Sequence, residues 1–259
     1  MTWTDIVYAM GKPTGMVFRD EEDDAVEPIE VAIKNVWIDP NPEYDVSVLI
    51  ASYGTPVEKL QRAVASCLNQ RGVRVEVVLV YDGETPLFAP DHENVVVIYQ
   101  EKLGVAAAWN RALQECAGRY VMLLGDDDFL QADCLLPLVE ALDNRTEGRS
   151  AYAYGDVQLQ WGVHVTPEWK KHEKGEWLTT SYAVLYPRWH RHKCSYYHPD
   201  DLPVYVTDYD FILQLEADGV IGVKVPGVVL HNIEPPRMGV QVEAIKNQIG
   251  AHLWGRFFE

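Results

Sequence analysis

Arg119-Tyr-Val-Met-Leu-Leu-Gly-Asp-Asp-Asp-Phe-Leu130 is the stretch whose reading decides the fold. Tyr120–Leu124 is an unbroken apolar run, and it stops at three consecutive acids, Asp126, Asp127 and Asp128. A short apolar run bounded by polar residues reads as a buried strand. Folding alone gives little reason to set three carboxylates side by side at its end, because like charges repel and raise each other's pKa. A divalent cation would remove that repulsion, and hard cations prefer carboxylate oxygen. The acids therefore suggest a metal and, through it, phosphates. The competing reading is a solvated acidic turn or a helix N-cap, since Asp is favoured in both.

Upstream, Val46-Ser-Val-Leu-Ile-Ala51 is a strand candidate followed by a turn, Ser52-Tyr-Gly54. Thr55-Pro-Val-Glu58 has the form of a capping box with proline at the first helical position. Val57, Leu60, Val64, Cys67 and Leu68 recur at helical spacing, and Gly72 can end that helix. Val75–Val80 is a second strand, ending at Tyr81-Asp82-Gly83, and Val95–Tyr99 is a third. Gly104 opens a helix whose Val105, Ala108, Trp109, Ala112, Leu113 and Cys116 share one face, and Gly118 stops it. After the acids the pattern predicts a helix near Ala132–Leu142, with Pro137 close enough to the first turn to be tolerated.

This order predicts an α/β fold with a mostly parallel central sheet and helices on both faces. Such sheets bind ligands at the carboxyl ends of their strands. Here those ends carry Ser52 and Tyr53, then Asp82, then Asp126–Asp128. Past Ser150 the rhythm changes. Tyr152–Leu159 reads as a strand, and Trp161–Pro203 is rich in Trp, Tyr, His and Pro without a helical period. Asp208–Gly219 is a short helix, Ile221–Val225 and Gly227–Leu230 are two strands ending at His231, and Val240–Phe258 is a terminal amphipathic helix. The expected organisation is an extension over 1–44, a nucleotide-binding half over 45–150, an acceptor half over 151–239 and the terminal helix over 240–259.

Composition narrows the function. The 259 residues are 47% hydrophobic with a net charge of −17, so a nucleic-acid partner is disfavoured and any nucleotide phosphate needs a metal or a local basic cluster beside it. No apolar run approaches the ~20 residues of a membrane span, and the N-terminus lacks the form of a signal peptide. Cys67, Cys116, Cys134 and Cys194 show no CxxC pairing and are expected to be reduced thiols in a cytoplasmic protein.

Several residues have two readings at this level. Asp82 could accept the N3–H of a uracil or thymine, with Tyr53 stacking on the base, or Asp82-Gly83 could be a plain turn. Asp208 could be a general base or a helix cap, with Asp210 as local competitor. His231 could be a third metal ligand, a phosphate contact or a structural histidine. His190-Arg-His-Lys193 could meet a diphosphate or an anionic acceptor, or be a surface loop. Trp161, Trp169, Trp177 and Trp189 could stack on sugars or pack a core.

Asp45–Tyr53, Glu76–Gly83, Gly104–Leu113 and Tyr120–Leu130 together resemble, in order and spacing, the nucleotide half of family 2 glycosyltransferases with the GT-A fold. The resemblance implies that Ser52, Tyr53 and Asp82 meet the nucleoside of a nucleotide-sugar, usually UDP-linked. It implies that Asp126 reaches the ribose while Asp127 or Asp128 holds Mn²⁺ or Mg²⁺ in a DxD-type motif. It further implies that Asp208 is the catalytic base and that His231 contacts the metal or diphosphate. Gly125, Tyr81 and Thr207 depart from the family pattern, which has acids at those positions.

The implied activity is metal-dependent glycosyl transfer with inversion to an acceptor hydroxyl, a saccharide by preference. Two alternatives compete: a sugar-1-phosphate nucleotidyltransferase, and a non-catalytic nucleotide-sugar-binding protein. The first would carry a Gly-rich basic loop after the first strand, and Ser52-Tyr-Gly-Thr55 is not one.

Overall fold

The computed structural model describes residues 42–83, 88–145, 150–171, 183–196 and 207–232, together with Phe257. The expectations for 1–41, for Trp177 and for the terminal helix fall outside these residues. Strands β1 (Val46–Ser52), β2 (Val75–Asp82), β3 (Val95–Gln100) and β4 (Tyr120–Gly125) run parallel in the order β3-β2-β1-β4, and β8 (Tyr186–Pro187) adds antiparallel to β4. A second sheet has the order β5-β9-β6-β7, from Phe129–Leu130, Ile221–Asn232, Ala151–Leu159 and Gly162–His164. Helices α1 (Val57–Leu68), α2 (Val105–Glu115), α3 (Leu135–Asp143) and α4 (Thr207–Ala217) cover the sheets.

The apolar runs form strands because both faces of the first sheet are covered. Val46, Val48 and Ile50 pack with Leu60, Val64 and Cys67 of α1 and Leu135, Leu138 and Val139 of α3. Leu49, Val78, Val80, Val121 and Leu123 pack on the other face with Ala108 and Leu113 of α2 and Phe211, Ile212 and Leu215 of α4. All eight residues of β2 are buried, so alternation is absent there and a continuous run is what the sequence must show. The mostly parallel α/β architecture expected from the sequence is thus present.

Beneath α2 a carboxylate is used structurally. Buried Glu76 accepts the Ser47 hydroxyl and the backbone N–H groups of Ala117 (2.6 Å) and Gly118 (2.9 Å). A Cβ at position 118 would lie 2.5 Å from the Ser47 nitrogen, so only glycine lets the chain pass from α2 into β4 there.

Four local expectations are corrected. Pro56 is the N-cap of α1, not its first residue, and no side chain caps the helix, because the Thr55 hydroxyl donates to Asp126 instead. Helix α1 ends at Leu68 with Asn69 as C-cap, four residues before Gly72 could stop it. Helix α3 begins at Leu135, and a short strand, β5, occupies Phe129–Leu130 ahead of it. The two strands expected over Ile221–Leu230 are one, β9, whose pairing with β6 shifts register opposite Gly155. Pro226 has no N–H to give a ladder, so the strand bulges there and resumes.

The cysteines are free and buried, and burial pushes the Cys116 thiol up to about 11 and the Cys134 and Cys194 thiols up to about 12. Among the described residues no helix is long and apolar enough to cross a membrane.

Candidate functional site

The parallel register brings the strand ends level. Ser52 pairs with Tyr81, Ala51 with Gly125, and Asp82 with Gln100. Beyond these ends lies a cavity of about 480 Å³, a volume typical of small-ligand sites. Ser52, Tyr53, Asp82, Asp126, Asp127, Asp128 and Asp208 all line it, so seven of the eight singled-out residues share one space. His231 is not among the lining residues.

The acids sit on a tight turn between β4 and β5, closed by the Asp128 N–H on the Gly125 carbonyl at 3.3 Å. Arg62 of α1 donates to the Asp127 carbonyl (3.0 Å) and lies 4.6 Å from the Phe129 ring centre. Burial pushes the Asp128 carboxyl up to about 7, Asp127 adds to this and Asp126 adds less, against an opposing hydrogen bond from Asn232 (3.3 Å). The turn therefore sets three adjoining carboxyl groups at the cavity, one of them buried. Asp127 and Asp128 are the side chains here that could hold a hard cation.

Asp82 is built into the wall. Its Oδ1 accepts from Gln100 Nε2 (2.8 Å) and the Leu103 N–H (2.8 Å), and its Oδ2 accepts from the Gly104 N–H (2.9 Å). Those bonds dock the β3–α2 loop onto the end of β2. Gly83 completes the joint, since a Cβ there would lie 2.4 Å from the Lys102 Cβ. The docked loop carries Lys102 to the cavity, with its ammonium 3.7 Å from the centre of the half-exposed Tyr53 ring. Trp109 of α2 also lines the cavity. The Trp109 indole nitrogen and the Ser52 hydroxyl are buried there without a hydrogen-bond partner among the described residues. Buried polar atoms are ordinarily satisfied, so these two are available to a ligand.

Helix α4 separates its two acids. Asp208 lines the cavity, while Asp210 is fully buried and accepts from Gln214 Nε2 at 2.5 Å. Burial raises the Asp208 carboxyl above the ordinary aspartate value, opposed by the N–H groups of Tyr209 and of Asp208 itself. His231 stacks on Phe129 (centroids 4.5 Å apart), and its Nε2 is 2.5 Å from Gln131 Oε1. Burial and Arg62 lower its pKa. Its neighbour Asn232, not His231, reaches the acidic turn.

The basic cluster is absorbed by the fold. His190 is fully buried with Nε2 2.9 Å from the Ser150 hydroxyl, Arg188 and Arg191 donate to the Cys116 carbonyl, and Lys193 pairs with Asp218 at 2.8 Å. Trp169 donates to Glu216 (3.1 Å), Trp189 stacks on His190, and Trp161 is 70% exposed at a hairpin turn. Lys102 is the residue that sequence reasoning missed. It carries the one cationic side chain among the described lining residues, and its position just past the end of β3 was the available signal.

The parallel sheet, with an acidic turn and further carboxylates at its carboxyl edge, has the arrangement that the resemblance to the GT-A fold implies. Residues 47–198 match the pattern described as glycosyl transferase family 2, and the chain belongs to that family. The succinoglycan biosynthesis protein ExoO of Rhizobium meliloti (strain 1021) is 31% identical over 134 residues, 44% of this chain and 38% of that protein. The chondroitin synthase of Escherichia coli is 33% identical over 97 residues, 35% of this chain and 14% of the synthase. The chain thus spans less than two fifths of the length of these relatives. Among solved structures, S. aureus TarS 1-349 is similar with a TM-score of 0.57 at 17% identity, covering 81% of this chain and 68% of that one. The same protein in complex with UDP-GlcNAc is similar with a TM-score of 0.54 at 15% identity, covering 74% and 59%.

Proposed function

We propose that this chain transfers a sugar from a UDP-sugar to an acceptor hydroxyl, with inversion at the anomeric carbon and with help from a divalent cation. The observation that carries the reading is the meeting of Tyr53, Lys102, Asp126–Asp128 and Asp208 around one cavity. The likeness to a structure of TarS holding UDP-GlcNAc supports the choice of donor.

In this reading the nucleoside lies toward Ser52, Tyr53 and Asp82, where a ring can stack and two orphaned polar atoms await partners. Asp82 Oδ2 accepts one described bond and so retains acceptor capacity for a base N–H. Asp126 faces the ribose. The donor set fits a divalent cation, because three carboxylates adjoin on one turn, burial and then Asp127 and Asp126 disfavour the bare charge of Asp128, and hard cations favour carboxylates. Among the described residues no three His, Cys, Asp or Glu side chains are grouped as a metal site, and Asp127 and Asp128 are the residues that would hold Mn²⁺ or Mg²⁺. Bound there, the cation supplies neutralisation of the charge that grows on the departing diphosphate. His231 Nε2 would join only by leaving Gln131.

Asp208 takes the proton from the acceptor hydroxyl. The acceptor oxygen then forms its bond to the anomeric carbon from the face opposite UDP. The bond to the diphosphate breaks, and its electron pair leaves on the diphosphate oxygen. A saccharide is the acceptor class favoured by the named relatives, which include a chondroitin synthase. Thermal unfolding in the presence of UDP, UDP-GlcNAc, UDP-glucose, CDP or GDP, each with and without Mn²⁺, tests the reading. A metal-dependent rise with UDP compounds is expected. A rise confined to CDP or GDP would refute the uridine assignment, and no rise with any nucleotide would refute the donor site.

A further inference from the structure

Asn110 and Gln214 grip two consecutive backbone residues from two different helices. Asn110, on α2, donates through Nδ2 to the Tyr196 carbonyl (2.7 Å) and accepts the Tyr196 N–H on Oδ1 (2.8 Å). Gln214, on α4, donates through Nε2 to the Ser195 carbonyl (2.8 Å) and accepts the Ser195 N–H on Oε1 (3.2 Å). Each amide makes the pair of bonds that a neighbouring strand would make, for a segment that lies in no strand. Asp210 sets the hand of the second grip. Its Oδ1 accepts from the same Gln214 nitrogen, which turns the Nε2 end toward Ser195.

The residue so held joins the cavity wall to the helix of Asp208. The buried Tyr196 ring lies 5.6 Å from that of Trp109, which lines the cavity, and 4.3 Å from that of Phe211. Phe211 follows Asp208 by one turn of α4, so the two share a side of that helix. The Tyr196 hydroxyl is 2.5 Å from that of Tyr186, whose ring also meets Phe211 at 4.9 Å. Tyr196, Asn110 and Gln214 are absent from the cavity lining.

We propose that Tyr196, gripped by Asn110 and anchored through the preceding Ser195 by Gln214, is a positioning residue that fixes Asp208 against the donor wall. The inference rests on the reading of Asp208 as the base. A base must meet the acceptor proton within a few tenths of an ångström, and α2 and α4 are separate pieces of chain that need a rigid spacer to achieve that. Tyr196 is that spacer, and the two amides stop it from sliding. The sequence Asp208-Tyr-Asp210 then has one acid for the cavity and one for the spacer.

The test uses UDP release from UDP-GlcNAc and UDP-glucose with Mn²⁺, UDP affinity by calorimetry, and hydrogen exchange across residues 207–217. Asn110→Ala and, separately, Gln214→Ala should lower kcat about tenfold or more while leaving the Kd for UDP within about twofold. Both should speed exchange in α4. On an Asp208→Asn background, Asn110→Ala should cost no further turnover, since both changes remove one function. Unchanged kcat in both single variants, or an equal loss on the Asp208→Asn background, overturns the proposal. Full turnover by Asp208→Asn, or no UDP release by the unaltered chain, sinks the base reading instead. The exchange arm still decides the spacer in that case, because unchanged exchange over 207–217 in Asn110→Ala overturns it by itself.

Discussion

The Lys102 ammonium lies over the Tyr53 ring, 3.7 Å from its centre, at the mouth of a cavity lined by Asp82, Asp126, Asp127, Asp128 and Asp208. Without Lys102 the charged side chains of the described lining are all acidic, and a diphosphate would depend on a bound cation alone to offset them. Lys102→Met is expected to weaken UDP binding about tenfold, about 1.4 kcal/mol, with the larger loss at low salt. Calorimetry at two ionic strengths checks this, and an unchanged affinity at both would remove Lys102 from the donor site.

Asp208→Asn should lower kcat by about 10²–10⁴-fold, to a residual rate that still allows comparison with the double variant, and leave UDP binding within about twofold, because the amide cannot take a proton and the cavity keeps its shape. The pH profile carries the sign. Burial raises the Asp208 carboxyl, and only the ionised form is a base, so kcat falls as pH falls through that raised value. The acid limb of kcat should therefore stand above the ordinary aspartate range of about 4. A limb at or below that range would assign it to another group.

Asp128 predicts a trade between stability and cation binding. Its folded value is about 7 and its unfolded value about 3.9, so the folded chain holds a proton that the unfolded chain has released. Stability falls as pH rises from about 4 to about 7, and the full cost above that window is of the order of 4 kcal/mol. Asp128→Asn should raise the melting temperature at pH 8 in EDTA and lose the stabilisation that Mn²⁺ gives the unaltered chain. Scanning calorimetry of both chains with EDTA and with Mn²⁺ measures both effects.

His190 works in the opposite pH direction. Burial lowers its pKa to about 4, with Asp218 opposing and Lys193 assisting. The unfolded chain takes up the proton near pH 6.5, so the stability is complete above that pH and is lost as pH falls toward 4. The loss is of the order of 3 kcal/mol. His190→Gln should flatten the melting temperature between pH 6.5 and 4, and an unflattened curve would place the acid sensitivity elsewhere.

The parts of this site that were legible in the sequence are those whose cause is local. A strand buried on both faces must be an apolar run, and so β1, β2 and β4 announced themselves along with the acids at their ends. Thr55-Pro-Val-Glu58 looked like a capping box because that pattern is local, but its hydroxyl found a better acceptor in Asp126, distant in sequence. Lys102 had only its place just past β3 to mark it, since it reaches the cavity through a loop shaped by Asp82 and Gly83. The basic cluster at His190–Lys193 stayed undecided in the sequence for the same reason. Its partners, the Cys116 carbonyl and Asp218, come from other elements. Strands β5, β7 and β8 have two or three residues each, too few for any period to show. The choice between Asp208 and Asp210 also needed the structure, because helical direction decides which acid faces the cavity.

The exchange of edge strands between the sheets has a mechanical consequence. β8, from the later part of the chain, is hydrogen-bonded to β4, while β5, from the earlier part, is hydrogen-bonded to β9. The earlier and later halves of the chain cannot be pulled apart without tearing ladder bonds in both sheets. The acidic turn lies at the crossing, between β4 and β5, so a force or a denaturant that loosens one sheet reaches the turn through the other. The two halves of the chain are thereby coupled mechanically through the turn that carries the three acids.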